Sequence, residues 1–82
     1  MNYRVNYHAA ASSQIPGLSA AAFTVLIERL VEIGDDPFHG STPVTAEEPN
    51  FRTATFGASG IVAFYVNRPA RTVTVSDILW AG

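Results

Sequence analysis

Between Phe51 and Trp80 apolar and polar residues alternate in three runs, Phe51–Gly57, Ile61–Asn67 and Thr72–Leu79. Two short polar segments separate them, Gly57-Ala58-Ser59-Gly60 and Asn67-Arg68-Pro69-Ala70-Arg71. A period of two bounded by Gly, Pro and Asn predicts three consecutive strands joined by tight turns. The middle run, Ile61-Val62-Ala63-Phe64-Tyr65-Val66, is apolar at both sets of alternate positions. A strand of that kind calls for cover on both of its faces.

The first half of the chain supplies fewer elements. Tyr3-Arg4-Val5-Asn6-Tyr7-His8 alternates cleanly and predicts a half-buried strand, with Tyr3, Val5 and Tyr7 on one face. Residues Ala9 to Ile15 suit a short helix that ends at the breaker pair Pro16-Gly17. The main helix is expected over Ser19–Ile33, with Ser19 as N-cap and Leu18 and Phe23 placed for a hydrophobic staple. Ala22, Phe23, Leu26, Ile27, Leu30 and Ile33 recur at three- and four-residue spacing and define its expected buried stripe. Gly34 suits a left-handed C′ position and Asp35-Asp36-Pro37 a turn. Residues 38–50 contain Pro43 and Pro49 and are expected to form a long connection without a helix. The resulting order, β-α-α-β-β-β, predicts an α+β domain in which a small antiparallel sheet packs on one main helix.

Composition narrows the class. Eighty-two residues make a single domain, 1–82, and a small core. With 48% hydrophobic and 15% charged residues, disorder is excluded as a description of the chain. No apolar run has the length of a membrane span, and Met1-Asn2-Tyr3-Arg4 leads straight into a strand pattern rather than a signal-peptide h-region. There is no cysteine, so no disulfide framework and no thiolate metal site. Two histidines and scattered acids lack metal-ligand spacing, and no cofactor motif is present, so neither metal nor cofactor is expected. A cytoplasmic location fits these features. Five Lys+Arg, all arginine, against seven acidic residues give a net charge of −2, which leaves little positive charge to concentrate on phosphates.

The order of elements, together with local wording, resembles the RelE/ParE toxin superfamily of bacterial toxin–antitoxin systems. Four places carry the likeness. Tyr3-Arg4-Val5-Asn6-Tyr7-His8 is similar to the family's opening strand, and Glu32-Ile33-Gly34-Asp35-Asp36-Pro37 to its second helix, which closes on Asp-Pro. Ile61-Val62-Ala63-Phe64-Tyr65-Val66 sits where the family has a Tyr-Arg-Val-x-Tyr-x-Val strand, and Arg71-Thr72-Val73-Thr74-Val75 resembles the last strand. The resemblance implies a toxin-type protein with an antitoxin partner, and a target that in some members is ribosomal messenger RNA and in others DNA gyrase. The messenger-cleaving members carry basic residues on an exposed sheet face and a C-terminal His/Arg/Tyr cluster. Here Ile61 replaces the usual arginine, and Ile78-Leu79-Trp80-Ala81-Gly82 stands in place of the cluster. The likeness therefore implies the fold more strongly than the activity.

Metal-free RNA cleavage requires a base at the 2′-hydroxyl, a proton donor for the leaving oxygen and cations for the developing charge. The candidates for such an endoribonuclease are Arg52 for charge, His39 or His8 for proton movement, and Tyr65 as donor. Each has a plainer role as well. Arg52 suits a solvent-facing strand position, the histidines suit the surface, and Tyr65 suits a core ring with its hydroxyl at the rim. The balance leans against an enzyme.

Binding is the stronger expectation. Alternation sets Ile61, Ala63 and Tyr65 on the face opposite Val62, Phe64 and Val66, and one helix covers one face. An uncovered triplet, extended by Leu79 and Trp80, marks a contact surface for a partner. The occupant is either an antitoxin-like protein or a second copy of the chain, a homodimer formed through the open face or the Trp80 edge. The competing arrangement folds the short N-terminal helix and the 38–50 connection over that side and closes it.

Overall fold

The computed structural model describes residues 2–81. A strand, β1 (Arg4–Tyr7), leads through a one-turn helix, α1 (Ala9–Ser12), and a 3-10 turn (Ile15–Gly17) into the main helix, α2 (Ala20–Asp35). Four strands follow: β2 (Thr42–Thr45), β3 (Glu48–Phe56), β4 (Gly60–Asn67) and β5 (Thr72–Trp80). They assemble into one five-stranded sheet in the order β1-β5-β4-β3-β2. The pairs β2–β3, β3–β4 and β4–β5 are antiparallel, but β1 lies parallel to β5, with Val5 beside Val73 and Tyr7 beside Val75. The domain is thus α+β as expected, with a mixed rather than purely antiparallel sheet. The helices between β1 and β2 carry the chain across one face of the sheet to its far edge, and the antiparallel run β2-β3-β4-β5 returns it to lie parallel beside β1.

α2 begins as the sequence indicates: the Ser19 side chain accepts a hydrogen bond from the Ala22 N–H at 3.1 Å. Its end differs. Gly34 is not a left-handed cap; it is buried and helical, and its carbonyl accepts the Asn2 and Tyr3 N–H groups at 3.1 and 2.8 Å. The helix closes one residue later, where the Asp36 carboxylate accepts the Phe38 N–H at 3.1 Å, a side-chain turn that Pro37 makes final. The buried stripe is narrower than expected. Ala22, Leu26, Leu30 and Ile33 are inside, whereas Phe23 and Ile27 face outward with Val31. Leu18 packs on the core without Phe23 joining it inside.

The 38–50 segment is not one long loop. Most of it is β2 and the start of β3, a hairpin turning at Ala46-Glu47. The prolines do not prevent this. Pro43 lies on an edge strand, opposite Arg52, where its missing N–H removes nothing from the ladder interior. Thr42, Val44 and Thr45 are β-branched and favour extended backbone.

The core sits between α2 and one face of the sheet. Leu26, Leu30, Ile33 and Ala11 meet Ala54, Phe56, Val62, Phe64, Val66, Val73, Val75 and Ile78. Phe56 stacks on Trp80 with ring centroids 5.6 Å apart, and Phe38 and Val25 pack on the margin. α1, the 3-10 turn, α2 and the turn after α2 therefore all lie on the same side. Among the described residues nothing crosses to the other face.

Candidate interaction face

The uncovered face is built by alternation along three strands. β4 directs Val62, Phe64 and Val66 into the core and Ile61, Ala63 and Tyr65 outward. The register sets these last three in rows. Ile61 lies between Thr55 and Leu79, Ala63 between Thr53 and Asp77, and Tyr65 between Phe51 and Thr74. Ile61 and Tyr65 are each 44% exposed and Leu79 is 55% exposed. Two residue pairs on a strand separate the first and last rows, which puts them about 13 Å apart. A ladder irregularity between Ala63 and Phe64 accommodates Ser76, whose hydroxyl donates to the Ala63 carbonyl at 3.2 Å.

Polar groups frame the strip. The Tyr65 hydroxyl donates to the Glu48 carboxylate at 3.4 Å, and the Tyr65 and Phe51 rings stack at 6.5 Å. Asp77 caps the Ile78 N–H at 2.9 Å, a donor it shares with the Gln14 side-chain oxygen. Thr53, Thr55 and Thr74 supply hydroxyls between the apolar residues. A shallow cleft of about 150 Å³ lies towards the β2 side of the face between Thr42, Thr53, Thr55 and Ile61, and another of about 280 Å³ borders Tyr65 at the opposite end.

The residues expected to act together in RNA cleavage do not converge. Arg52, which either expected role placed towards solvent, is 9% exposed and lies on the core side of β3. Its Nε donates to Ser41 Oγ at 2.6 Å, and its terminal nitrogens donate to the Pro49 and Ser41 carbonyls at 2.8 and 2.9 Å. The guanidinium also covers the Phe38 ring at 5.1 Å. Every nitrogen is engaged, and the side chain ties the turn after α2 to the hairpin. His39 is exposed in that turn, and its N–H bonds the Asp36 carbonyl. His8 caps α1, with Nδ1 accepting the Ala10 N–H at 3.2 Å. Tyr65 lies on the open face, where its hydroxyl meets Glu48. Of the residues expected to bind a partner, Ile61, Ala63, Tyr65 and Leu79 do share it; Trp80 turns to the core side against Phe56. The described residues include no cluster of three or more His, Cys, Asp or Glu arranged to hold a metal ion.

No family model and no curated protein matches the chain. Solved structures do. The Mycobacterium tuberculosis RelBE2 toxin–antitoxin complex contains a chain that superposes with a TM-score of 0.85 over 98% of this chain and 99% of that one, at 15% identity. The chain has the RelE/ParE toxin fold. The intact Escherichia coli RelBE toxin–antitoxin complex gives a TM-score of 0.80 at 17% identity, covering 98% of both chains. A YoeB/ParE toxin from Agrobacterium tumefaciens gives 0.79 at 9% identity, covering 96% of this chain and 99% of that one. At such identities the RelE/ParE likeness is one of architecture, and the chemistry of the face has to be read from its own residues.

Proposed function

We propose that this chain is a cytoplasmic toxin-type protein of a bacterial toxin–antitoxin pair, that it acts through protein contact with little or no RNase activity, and that an antitoxin-like partner covers its bare sheet face. The observation that carries this reading is the strip of exposed Ile61, Tyr65 and Leu79 around half-buried Ala63, on a sheet whose other face is covered. The fold supports it, since two of the structures with this architecture were solved as toxin–antitoxin complexes. The small catalytic inventory supports the rest: Arg52 is spent on structure, His8 caps α1, and His39 sits in the turn after α2. A target approached by protein contact, of which a gyrase-like enzyme is one kind, suits an apolar strip edged by the Asp77 and Glu48 carboxylates better than messenger RNA does.

The test is controlled expression in a bacterial host, with and without the product of the adjoining reading frame. Growth arrest that co-expression relieves, together with a stable complex weakened by Ile61→Lys and Leu79→Lys, is the expected result. The second reading, a non-toxic module that pairs with its own copy, draws on the same exposed strip. It replaces the first if expression leaves growth unchanged and light scattering shows a dimer that those two substitutions dissociate.

A further inference from the structure

The positive charge of this chain is scarce, yet the fold gathers most of it at one end. Arg29 is committed to α2, donating to the Thr55 and Gly40 carbonyls and pairing with Glu32 at 2.9 Å. Arg52 is buried. The remaining three, Arg4, Arg68 and Arg71, meet at the β4–β5 turn, because the parallel pairing of β1 with β5 sets Arg4 beside Thr72 and bonds its N–H to the Arg71 carbonyl at 2.9 Å.

Two of these guanidinium groups are held ready. Arg71 lies over the Tyr3 ring at 5.1 Å, and its Nε donates to the Asn2 carbonyl at 3.1 Å. Arg68 lies over the Phe38 ring at 4.2 Å, and its Nε donates to the Asn50 side-chain oxygen at 3.3 Å. Stacking and one bond at Nε fix the plane of each fork, and among the described residues no acceptor takes the terminal nitrogens of either. No carboxylate pairs with Arg4, Arg68 or Arg71 among those residues. Arg71 further adopts φ 58°, a left-handed conformation that suits glycine, so the turn carries a local strain that the arginine retains.

A cleft opens on each side of this turn. One, about 490 Å³, is lined by Asn2, Tyr3, Arg4, Ala70 and Arg71; the other, about 280 Å³, by Asn50, Tyr65, Val66, Asn67, Arg68 and Pro69. Neither lining includes Asp or Glu, although Glu48 holds the Tyr65 hydroxyl from the far side. The second cleft combines a fixed guanidinium with a half-exposed aromatic ring and two amide side chains. Cations for the backbone, an aromatic face for a base and amides for base edges are the groups that hold single strands. An acidic peptide would use the cations alone.

We propose that the β4–β5 turn end, through Arg4, Arg68, Arg71 and Tyr65, is a docking site for a single-stranded nucleic acid, bound through its phosphodiester backbone without cleavage. The three arginines lie at the opposite end of β5 from Leu79; Tyr65 alone belongs to both this site and the bare face, so a partner covering that face would leave the arginines open and compete only for the ring.

Fluorescence anisotropy with a labelled ten-nucleotide oligo-uridine and a matching oligo-thymidine, titrated with the full chain at low salt, tests this. Three neutralised phosphates give a slope of log K against log salt of about −2, since each contributes about −0.7 on a single strand. Arg68→Gln weakens binding several-fold and makes the slope shallower by about 0.7. Arg71→Gly does the same while keeping the fold, because glycine accepts the positive φ; its melting temperature serves as the control. Amide shifts in NMR spectra fall on Asn50, Tyr65, Asn67 and Ala70 and spare Ile61 and Leu79. Equal binding of both oligonucleotides supports a backbone-and-stacking site, and preference for the RNA supports one that also reads the 2′-hydroxyl. The proposal is overturned by any of three results: no salt-dependent binding, binding that both substitutions leave unchanged, or displacement by hexaglutamate as effective as by unlabelled oligonucleotide. The last would make this end a protein contact.

Discussion

Replacing Arg52 by alanine tests how the loop-side half of this domain is held. The guanidinium makes three hydrogen bonds, to Ser41 Oγ, Ser41 O and Pro49 O, and covers the Phe38 ring, whose other neighbour is Arg68 at 4.2 Å. A hydrogen bond to a charged group contributes about 1.5–3 kcal/mol. The three do not add in full, because the Pro49 and Ser41 segments are exposed enough for water to replace part of what is lost. About 3 kcal/mol is therefore the expected destabilisation for Arg52→Ala. A domain of this size has a total stability of about 4–12 kcal/mol, so the loss is a large share of it. At 4–8 °C per kcal/mol, the melting temperature should fall by about 12–24 °C. Calorimetry and urea titration followed by circular dichroism measure it, with an unchanged urea m-value showing that the same unit unfolds. Arg52→Lys, which keeps the charge but loses the fork, should fall between the two. A fall of less than about 4 °C for the alanine variant would refute the reasoning and return Arg52 to the candidates for chemistry. The same measurement guards against a false result, since loss of any RNase activity in a half-unfolded variant says nothing about catalysis.

Four further substitutions probe the open face and the helix and strand that back it. A Cβ at Gly60 would lie 2.5–2.6 Å from the Phe56 ring, which is fully buried, so Gly60→Ala should destabilise by about 2 kcal/mol in urea titration. Ser19→Ala removes the N-cap acceptor of α2 and should cost about 1 kcal/mol, read as a melting shift of about 4–8 °C. Ile61→Lys and Leu79→Lys, by contrast, alter exposed positions and should each change stability by about 1 kcal/mol or less in the free chain; a larger loss would mean that the face is packed rather than open.

Alternation and capping carried most of the architecture in plain view. The three C-terminal strands and α2 lie within a few residues of their expected spans, and the division of β4 into Val62, Phe64 and Val66 against Ile61, Ala63 and Tyr65 follows directly from the period of two. The hidden parts have physical reasons. β2 was masked by Pro43, which forbids a central strand but not an edge one. The position of Arg52 was legible in principle: it shares its alternate positions with Ala54 and Phe56, which are core residues, so its side chain had to enter the core side and find acceptors there. The meeting of Arg4 with Arg71 was not legible, because it depends on a parallel pairing between the first and last strands that local pattern cannot register.

That pairing gives the molecule two surfaces of opposite character. On the bare face, apolar Ile61, Ala63, Tyr65 and Leu79 alternate with Thr53, Thr55 and Thr74. A face of that mixture remains hydrated through its hydroxyls when free, yet releases water from its apolar rows when covered, as a surface occupied only part of the time requires. At the other end, the charge left unpaired is positive although the chain as a whole is negative. Arg71 and Leu79 are eight residues apart on an extended strand, roughly 26 Å, about three times the screening length at physiological salt. A charge introduced at Leu79 therefore leaves the potential at Arg71 almost unchanged. Loss of partner binding by Leu79→Lys and loss of nucleic-acid binding by Arg71→Gly should then combine without interaction, as two sites on one rigid sheet rather than two halves of one active centre.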